Sequence, residues 1–328
     1  MISSDKVTKR SEIIFIYDIS DGNPNGDPLD ENKPRIDEET GINLITDVRL
    51  KRTIRDYLNQ SKGMEIFVRE IAYDDEGRIQ DAKMRASNFG NDDKRILGEC
   101  IDIRLFGGVI PIKKSKKDKG EKLKEDKGPE GREDKGAITY TGPVQFKMGR
   151  SLHKVIIKHM RGTGAFASDP KSTHKTFREE DFLPYSLIQF YGIINENAAK
   201  HTGLTEGDVQ LLLDGIWNGT KGLITRTKVG QVPRLLLKVN YSRKNYHIGD
   251  LDKMMKLDTK IPHVNIRDPI DFQIDISELV RKLASEKENI EGIDICVDGR
   301  IRFCADGADF PMSKLADATG IKVTHVAL

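Results

Sequence analysis

The sequence predicts an α+β fold from two groups of elements, one near each end of the chain. A strand and a helix open the chain at Ser11–Asp18 and Asp47–Gln60. A strand, a helix and a strand close it at Ile270–Ile276, Ser277–Glu288 and Ile293–Val297. Together these elements predict a split, ferredoxin-like core that long insertions interrupt. Many RNA-recognition domains share this topology, although a fold alone does not assign a function.

The first strand is predicted to be central in its sheet. Ser11–Asp18 carries isoleucine and aromatic residues at odd and even positions alike, as a strand buried on both faces does. Turn-forming residues follow at Asp21–Pro28, and Ile42–Thr46 is a second short apolar segment. We expect Asp47 to cap the next helix. Four apolar residues form the inward face of that helix: Leu50, Ile54, Tyr57 and Leu58.

The middle of the chain contains the predicted insertions. Residues 62–91 read as irregular strands and polar loops, and strand-like patterning resumes at Ile138–Ile157. Lys113–Lys135 is nearly all charged residues and glycine, so we expect a disordered, solvated insertion there. Met160–Asp181 is a polar excursion of a length that is usually functional. Two further elements are assigned: a capped helix at Thr205–Trp217 and a strand at Arg234–Tyr241.

The composition narrows the class of protein. The sequence has 54 basic and 52 acidic residues, a net charge of +2, so overall charge does not by itself indicate nucleic-acid binding. No apolar run is long enough for a membrane-spanning helix, and Met1–Arg10 lacks the apolar stretch of a signal peptide. Cys100, Cys296 and Cys304 have no metal-binding spacing. These features favour a reducing, cytoplasmic location and no cofactor.

Basic side chains concentrate on the first predicted helix. With the apolar residues turned inward, its remaining surface carries Arg49, Lys51, Arg52 and Arg55. Neighbouring like charges at spacings of three and four residues repel each other, and a phosphate chain would relieve that repulsion. An ordinary solvated helix face, partly balanced by Asp47 and Asp56, is the alternative.

Two loops offer further polar groups. Asn23, Asn25 and Gly26 follow the first strand and suit close approach of backbone to a ligand. Taken alone, the segment favours the alternative, a tight turn with Asx hydrogen bonds. The loop lacks the glycine and lysine patterns of nucleotide-binding motifs. A second basic group lies between Lys221 and Arg234 and includes Arg226 and Lys228, with threonine, glycine and glutamine interleaved. Such groups contact phosphate and ribose, or simply form a basic loop.

A metal-dependent nuclease is a competing interpretation. Asp18, Asp21, Asp27 and Asp30 lie near the end of the first strand, where carboxylates can hold metal ions for phosphodiester hydrolysis. Each also fits a turn or a loop. The histidines show no ligand spacing apart from His153 and His159, and the sequence contains no HExxH or GxSxG motif. We therefore expect no metal site and no catalytic residue.

Taken together, the motifs resemble the backbone subunit family of type I CRISPR Cascade complexes, in the RAMP superfamily and nearest to its I-B branch. The ordered set spans about residues 11 to 241. The matching segments are Asn23–Pro28, Thr46–Arg55, Asp102–Gly107, Thr141–Gln145 leading into Gly149–Ser151, Leu183–Tyr185 and Lys221–Arg234.

The resemblance implies a hand-shaped subunit that polymerises along CRISPR RNA. Its RRM-like palm would comprise residues 11–60, 138–159 and 184–328, its fingers 61–137 and its thumb 160–183. It would bind other copies and other Cascade subunits and present the guide for pairing with target DNA, without being an enzyme. Gln145, Met148 and Arg150 would join the RNA contacts proposed above.

Two enzymatic relatives of the same superfamily provide alternatives. Type III backbone subunits cleave target RNA with a loop aspartate, which here would be Asp21 or Asp27. Processing endoribonucleases have a histidine near a glycine-rich C-terminal loop, but Gly292, Gly299 and Gly307 have no histidine beside them.

Overall fold

The computed structural model describes residues 4–112, 136–163 and 177–328. The predicted disorder at Lys113–Lys135 lies outside these residues, as does the middle of the Met160–Asp181 excursion. The chain divides into two compact units. Unit 1 comprises Met1–Thr8, Arg55–Gln145 and Asn195–Leu212, and unit 2 comprises Lys9–Ile54, Phe146–Ile194 and Leu213–Leu328.

Both helices and strands are present along the chain, which confirms the predicted α+β class. The strands are β1 (Ser11–Gly22), β2 (Gly26–Asp27), β3 (Lys33–Pro34), β4 (Ile36–Asp37), β5 (Ile42–Ile45), β6 (Gly107–Ile110), β7 (Ile138–Thr141), β8 (Val144–Phe146), β9 (Gly149–Lys154), β10 (Lys158–Thr163), β11 (Phe177–Ile194), β12 (Val232–Tyr241), β13 (Lys256–Asp258), β14 (Gln273–Asp275), β15 (Ile290–Val297), β16 (Phe303–Ala305), β17 (Ala308–Asp309) and β18 (Val323–His325). The helices are α1 (Asp47–Lys62), α2 (Ala82–Ser87), α3 (Asp93–Glu99), α4 (Ile101–Phe106), α5 (Glu196–Thr202), α6 (Glu206–Lys221), α7 (Ser277–Ser285) and α8 (Leu315–Thr319).

Unit 2 is built on one large sheet with the order β18-β15-β12-β1-β11-β9-β5-β4. Strand β1 lies between β11 and β12 and is antiparallel to both, so Phe15 is paired with Phe190 on one side and Leu236 on the other. The first nine residues of β1 are buried, because both faces of the sheet are covered. The predicted central position of this strand is confirmed.

Each face of the large sheet carries its own apolar layer. On one face, Ile14 and Ile16 belong to a cluster that includes Leu279 and Leu283 of α7. On the other face, the Tyr17 ring stacks on those of Phe15 and Phe190, with ring centroids 5.5 and 6.4 Å apart. This second layer faces the N-terminal half of α1.

Unit 1 has a smaller core formed by short helices and the β6–β7 hairpin. Its buried members include Phe67, Phe89, Ile96 and Ile103. Strand β6 pairs with β7 from Gly107–Thr141 to Ile110–Ile138.

Three details differ from the sequence-based expectations. Helix α1 begins at Asp47, and its cap is Thr46, whose Oγ1 accepts a hydrogen bond from the Arg49 N–H at 3.3 Å. Residues 62–91 contain the helix α2 as well as loops. The two strands predicted near the C-terminus, Ile270–Ile276 and Ile293–Val297, belong to different sheets. Strand β14 lies in a sheet of order β13-β14-β16-β17, whereas β15 pairs with β12. Within the described residues, each helix is too short or too polar to cross a membrane.

Candidate nucleic-acid interface

The N-terminal half of α1 positions Arg49 in unit 2. One Nη of Arg49 donates to Thr53 Oγ1 at 2.9 Å, and the Thr53 hydroxyl donates to the Arg49 carbonyl oxygen at 3.1 Å. Because Thr53 is buried, this pair of bonds holds the guanidinium near the helix surface instead of letting it move freely in solvent. Lys51 on the same helix forms an ion pair with Asp47 at 3.0 Å, and Arg52 is exposed.

The loop after β1 is fixed from two sides. The Asn23 backbone N–H donates to the Thr227 carbonyl oxygen at 2.8 Å, and the Asn23 side-chain amide donates to the Asn32 carbonyl oxygen at 2.6 Å. Gly26 packs so closely on Asn32 that a Cβ would lie 2.1 Å from its Oδ1, so only glycine fits there. This packing is that of a tight turn, which was the alternative interpretation of the loop, and close approach of the backbone to a ligand stays a prediction.

The same loop carries buried amide atoms whose hydrogen-bonding capacity is unused. Asn23 and Asn25 are 1% and 8% exposed. Among the residues that the structure describes, Asn23 Oδ1 and Asn25 Nδ2 have no hydrogen-bond partner. Buried polar atoms are nearly always paired, so exceptions of this kind need an explanation. A bound ligand is one explanation.

The basic loop after α6 lies close to these groups. Burial lowers the pKa of the Lys228 amine, and the positive charge of Arg49 lowers it further. Arg49 also lines a small cavity together with Pro24, Thr220 and Gln231. Segments far apart in the sequence therefore bring two cations and the asparagine loop into one region of unit 2.

A larger cleft adjoins this region. Its volume is about 420 Å³, and it is lined by the asparagine loop, the β10–β11 hairpin and the loop after α6. Phe182 and Met160 supply apolar surface, and Arg226 forms an ion pair with Glu180. The lining residues are Asp21, Gly22, Asn23, Met160, Glu180, Phe182, Arg226 and Thr227.

The other predicted contact residues are exposed or engaged in local contacts. Met148 and Arg150 are exposed, and an Nη of Arg150 lies 3.5 Å from Asp37. Lys221 is exposed at the end of α6. In unit 1, the Gln145 side-chain amide donates to the Gly142 carbonyl oxygen at 2.9 Å.

Arg55 differs from the expectation that it lies on the exposed face of its helix. Its Nε donates to Asp102 Oδ2 at 3.0 Å, and its guanidinium lies over the Phe106 ring at 5.1 Å. The carboxylate of Asp102 is fully buried and also accepts hydrogen bonds from the Phe67 and Val68 N–H groups. Arg55 therefore balances a buried charge within unit 1.

Three of the four candidate nuclease aspartates are engaged in separate contacts. Asp18 is buried and accepts hydrogen bonds from Arg234 Nε and the Tyr185 hydroxyl, both at 2.8 Å. Asp27 and Asp30 form ion pairs with Arg35 and Lys33. Within the part of the chain that the structure describes, no group of three or more metal-ligating side chains is present.

The comparison with known proteins assigns the chain to a family. A family model described as CRISPR-associated protein Cas7 matches residues 9–277. The chain belongs to the Cas7 family. A curated CRISPR-associated protein Cas7 from Haloferax volcanii is 32% identical to this Cas7-family chain over 316 residues, which cover 89% of this chain and 88% of the relative. The resemblance in the sequence is thus confirmed at the level of the family.

A solved structure is similar in fold to this Cas7-family chain. This structure, a CRISPR RNA-guided surveillance complex, pre-nicking, matches with a TM-score of 0.51 and 10% identity over 94% of this chain and 100% of the other. Another, a CRISPR RNA-guided surveillance complex, has a TM-score of 0.49 and 13% identity, covering 96% of this chain and 94% of the other.

Two of the motifs that carried the resemblance are structural in this Cas7-family chain. A Cβ on Gly142 would lie 2.0 Å from the Phe106 carbonyl carbon, and one on Gly107 would lie 2.2 Å from the Tyr140 carbonyl oxygen. The segments Asp102–Gly107 and Thr141–Gln145 therefore pack backbone against backbone, which requires glycine at both positions.

Sequence reasoning did not single out several residues at the interface. Thr227 and Gln231 lie in the predicted basic loop but carry no charge, and Phe182 and Glu180 lie in a strand. Arg35 ends near the loop, and its Nε is buried without a hydrogen-bond partner among the described residues. The order of residues along the chain contains no signal for these contacts, because each depends on pairing between distant segments.

Proposed function

We propose that this Cas7-family chain is the CRISPR RNA-binding backbone subunit of a type I Cascade antiviral surveillance complex, nearest to subtype I-B. Copies of the chain polymerise along the guide RNA and bind other Cascade subunits. The guide is thereby presented for pairing with target DNA. The subunit works in the cytoplasm, away from membranes, without a cofactor and without catalysing a reaction.

The observation that carries this proposal is the convergence of Arg49 and Lys228. The electrostatic effect of Arg49 on the Lys228 amine means that two cations are held near each other beside unbonded buried amide atoms. Like charges brought together raise the energy of a folded protein, and a phosphate group would lower it. Since guide RNAs differ in sequence, a subunit that binds all of them needs contacts to phosphate and ribose and not to base edges.

The other predicted residues are proposed as additional RNA contacts, each on its own unit. Asn23, Asn25 and Gly26 offer amide groups, while Lys51, Arg52, Arg150, Lys221 and Arg226 add charge. Gln145 adds an amide and Met148 an exposed apolar side chain that fits beside a base. Arg55 contributes less, because its guanidinium is committed to Asp102.

The proposed domain organisation follows the hand-shaped subunit of the family, with a palm, fingers and a thumb. An RRM-like, ferredoxin-like palm comprises residues 11–60, 138–159 and 184–328, and the fingers comprise 61–137. The thumb comprises 160–183. Support for a thumb comes from the β10–β11 hairpin, whose paired residues run from Lys158–Phe182 to Thr163–Phe177. A net charge of only +2 suits head-to-tail stacking, since strongly basic copies would repel one another.

The absorbance ratio at 260 and 280 nm of the purified protein, followed by size exclusion at low and high salt, tests the proposal. Assembly on RNA predicts bound nucleic acid and large oligomers that shrink when salt is raised. The double variant Arg49→Glu/Lys228→Glu should lose both. The matched control Lys256→Glu/Arg281→Glu changes two exposed, acid-paired cations of unit 2 and should keep both. A nucleic-acid-free monomer under all conditions would contradict the proposal.

A metal-dependent endoribonuclease that acts through a loop aspartate is the alternative function. The observation that favours it is the position of Asp21, an exposed residue that lines the 420 Å³ cleft and has a positive φ of 49°. Cleavage of a complementary RNA in the presence of magnesium should be measured for the guide-loaded protein and for Asp21→Ala/Asp27→Ala. The backbone-subunit proposal predicts no cleavage by either protein. Cleavage that the double variant loses would favour the nuclease.

A further inference from the structure

A basic cleft, separate from the 420 Å³ cleft of unit 2, lies in unit 1, where the sequence predicted no site. Its volume is about 450 Å³, a size that accommodates a nucleotide. It is lined by Lys6 near the N-terminus, by α3 and α4, and by the segment from the end of α5 to the start of α6. The charged and titratable members are Lys6, Lys94, Arg104, Lys200, His201 and Asp208.

Two charged lining residues of this cleft, Arg104 and Asp208, are bonded to each other. Arg104 binds Asp208 through two hydrogen bonds, Nε to Oδ2 at 3.0 Å and Nη2 to Oδ1 at 2.8 Å. Its other Nη donates to the carbonyl oxygens of Leu97 and Gly98 at 2.8 and 2.9 Å. The only carboxylate among the described lining residues is therefore already neutralised. The charge that remains for a ligand is positive.

The rim supplies that charge. Lys6, Lys94 and Lys200 are exposed, and so is His201. Lys6 is held in place, since its Nζ donates to the Gly203 carbonyl oxygen at 2.9 Å. Lys200 donates to Asn197 at 3.2 Å, a neutral partner that leaves the charge uncompensated. Cations that surround a concave surface attract anions more strongly than the same cations on a flat surface.

A buried hydroxyl provides an independent indication of a ligand. Thr202 lines the cleft and is 2% exposed. Within the residues that the structure describes, its Oγ1 has no hydrogen-bond partner. A ligand oxygen that enters the cleft would provide the missing partner for Thr202.

We propose that this cleft binds phosphate groups, either those of a free nucleotide or those of a nucleic-acid strand. Lysine is depleted at protein–protein interfaces, where aromatic and arginine side chains predominate. Among the described lining residues, the cleft has three rim lysines, hydroxyls from Thr202 and Thr205, and no Phe, Tyr or Trp. Its one arginine, Arg104, is engaged with Asp208 and two carbonyl oxygens. Point charges combined with hydroxyl donors suit phosphate oxygens.

The test measures binding of a fluorescein-labelled deoxythymidine 12-mer to the full-length protein at several salt concentrations. In Lys94→Gln/Lys200→Gln, the slope of log K against log salt concentration should fall by about 1.4, because each lost phosphate contact on a single strand contributes about 0.7. The control Arg78→Gln/Lys83→Gln removes two exposed cations of unit 1 that do not line the cleft and should leave the slope unchanged. An equal slope in both variants overturns the proposal.

Competition identifies the source of the phosphate. Displacement of the 12-mer by metal-free ATP from the wild-type protein, lost in the lysine variant, identifies a nucleotide site. A lysine-dependent slope without displacement by ATP identifies the backbone of a strand. If polyglutamate displaces the 12-mer as well as ATP does, the cleft binds carboxylates of a protein partner and the proposal fails.

Thr202→Val keeps the shape of the side chain and guards against misfolding of the lysine variant. It should fold normally, because the hydroxyl makes no hydrogen bond to the described residues. It should bind the 12-mer about tenfold more weakly if the hydroxyl contacts phosphate. Guide RNA retention, read from the 260 to 280 nm absorbance ratio, should be unchanged in all these variants. Failure of the cleft proposal is thereby distinguished from failure of the proposed backbone function.

Discussion

Arg55 Nε lies 3.0 Å from Oδ2 of Asp102, a carboxylate with no exposed surface. This ion pair connects two of the segments that carried the resemblance to the family, the first helix and the Asp102–Gly107 segment. Asp102 also anchors the backbone at Phe67 and Val68. An arginine that the sequence suggested for RNA contact thus stabilises unit 1.

Removing Arg55 should therefore destabilise the protein strongly. Arg55→Ala leaves Asp102 buried without its counter-charge, and loss of one partner from a buried pair costs about 3–5 kcal/mol. The free energy of unfolding from urea denaturation measures this loss. Arg52→Ala, which changes an exposed residue on the same helix, should alter it by less than about 0.5 kcal/mol. Equal effects of the two substitutions would contradict a structural role for Arg55.

Gly142 should tolerate no side chain. Gly142→Ala places a Cβ 2.0 Å from the Phe106 carbonyl carbon, and backbone on both sides cannot move away easily. We expect a loss of at least about 3 kcal/mol, at the upper end for overpacking. Gly98→Ala is the matched control, because Gly98 lies within α3 and a Cβ there meets nothing within 4 Å. That control should gain about 0.4–1 kcal/mol by restricting the unfolded chain, and thermal unfolding of both variants measures the contrast.

His153 should make stability depend on pH between about 6.5 and 4. Burial lowers the pKa of His153 to about 4, and its Nε2 accepts a hydrogen bond from the Leu187 N–H at 3.2 Å while Nδ1 donates to the Lys154 carbonyl oxygen. The unfolded chain takes up a proton near pH 6.5, whereas the native chain resists it until pH 4. Stability is therefore lost as the pH falls through this window, by about 3 kcal/mol in total.

Denaturation in urea at pH 7, 5.5 and 4.5 tests the role of His153. His153→Gln should be less stable at pH 7 but should lose less on acidification than the wild type. His201→Gln, at an exposed position, should keep the wild-type dependence on pH. An unchanged dependence in His153→Gln would refute the assignment.

The sequence predicted elements whose signal is local. Strand β1 was predicted because apolar residues at odd and even positions alike indicate burial of both faces of the strand. Helix α1 was predicted because its apolar residues recur at the helical period. The cap was misplaced by one residue, since Thr46 and Asp47 are both good caps and only geometry distinguishes them. Helix α2 was missed because its most buried long side chain is charged. Arg85 is 7% exposed and lies over the Phe89 ring at 4.7 Å.

The candidate interface was only partly predictable, because local sequence signals do not reveal contacts between distant segments. Residue type and spacing proposed Asn23, Arg49, Lys228 and Arg55 alike as RNA contacts, and the structure brings the first three into one region of unit 2. Their distinction from Arg55 depends on Asp102, a partner far along the chain that periodicity does not reveal. The contact between Asn23 and Thr227 likewise joins two loops whose sequences carry no sign of each other.

The salt dependence of guide RNA binding tests the central claim most directly. Affinities of the wild type, Arg49→Gln/Lys228→Gln and the control Lys256→Gln/Arg281→Gln should be measured from low to high salt. The account predicts that the slope of log K against log salt concentration falls by about 1.4 in the first variant and stays constant in the control. A slope that is the same in all three proteins would show that Arg49 and Lys228 do not bind the RNA backbone.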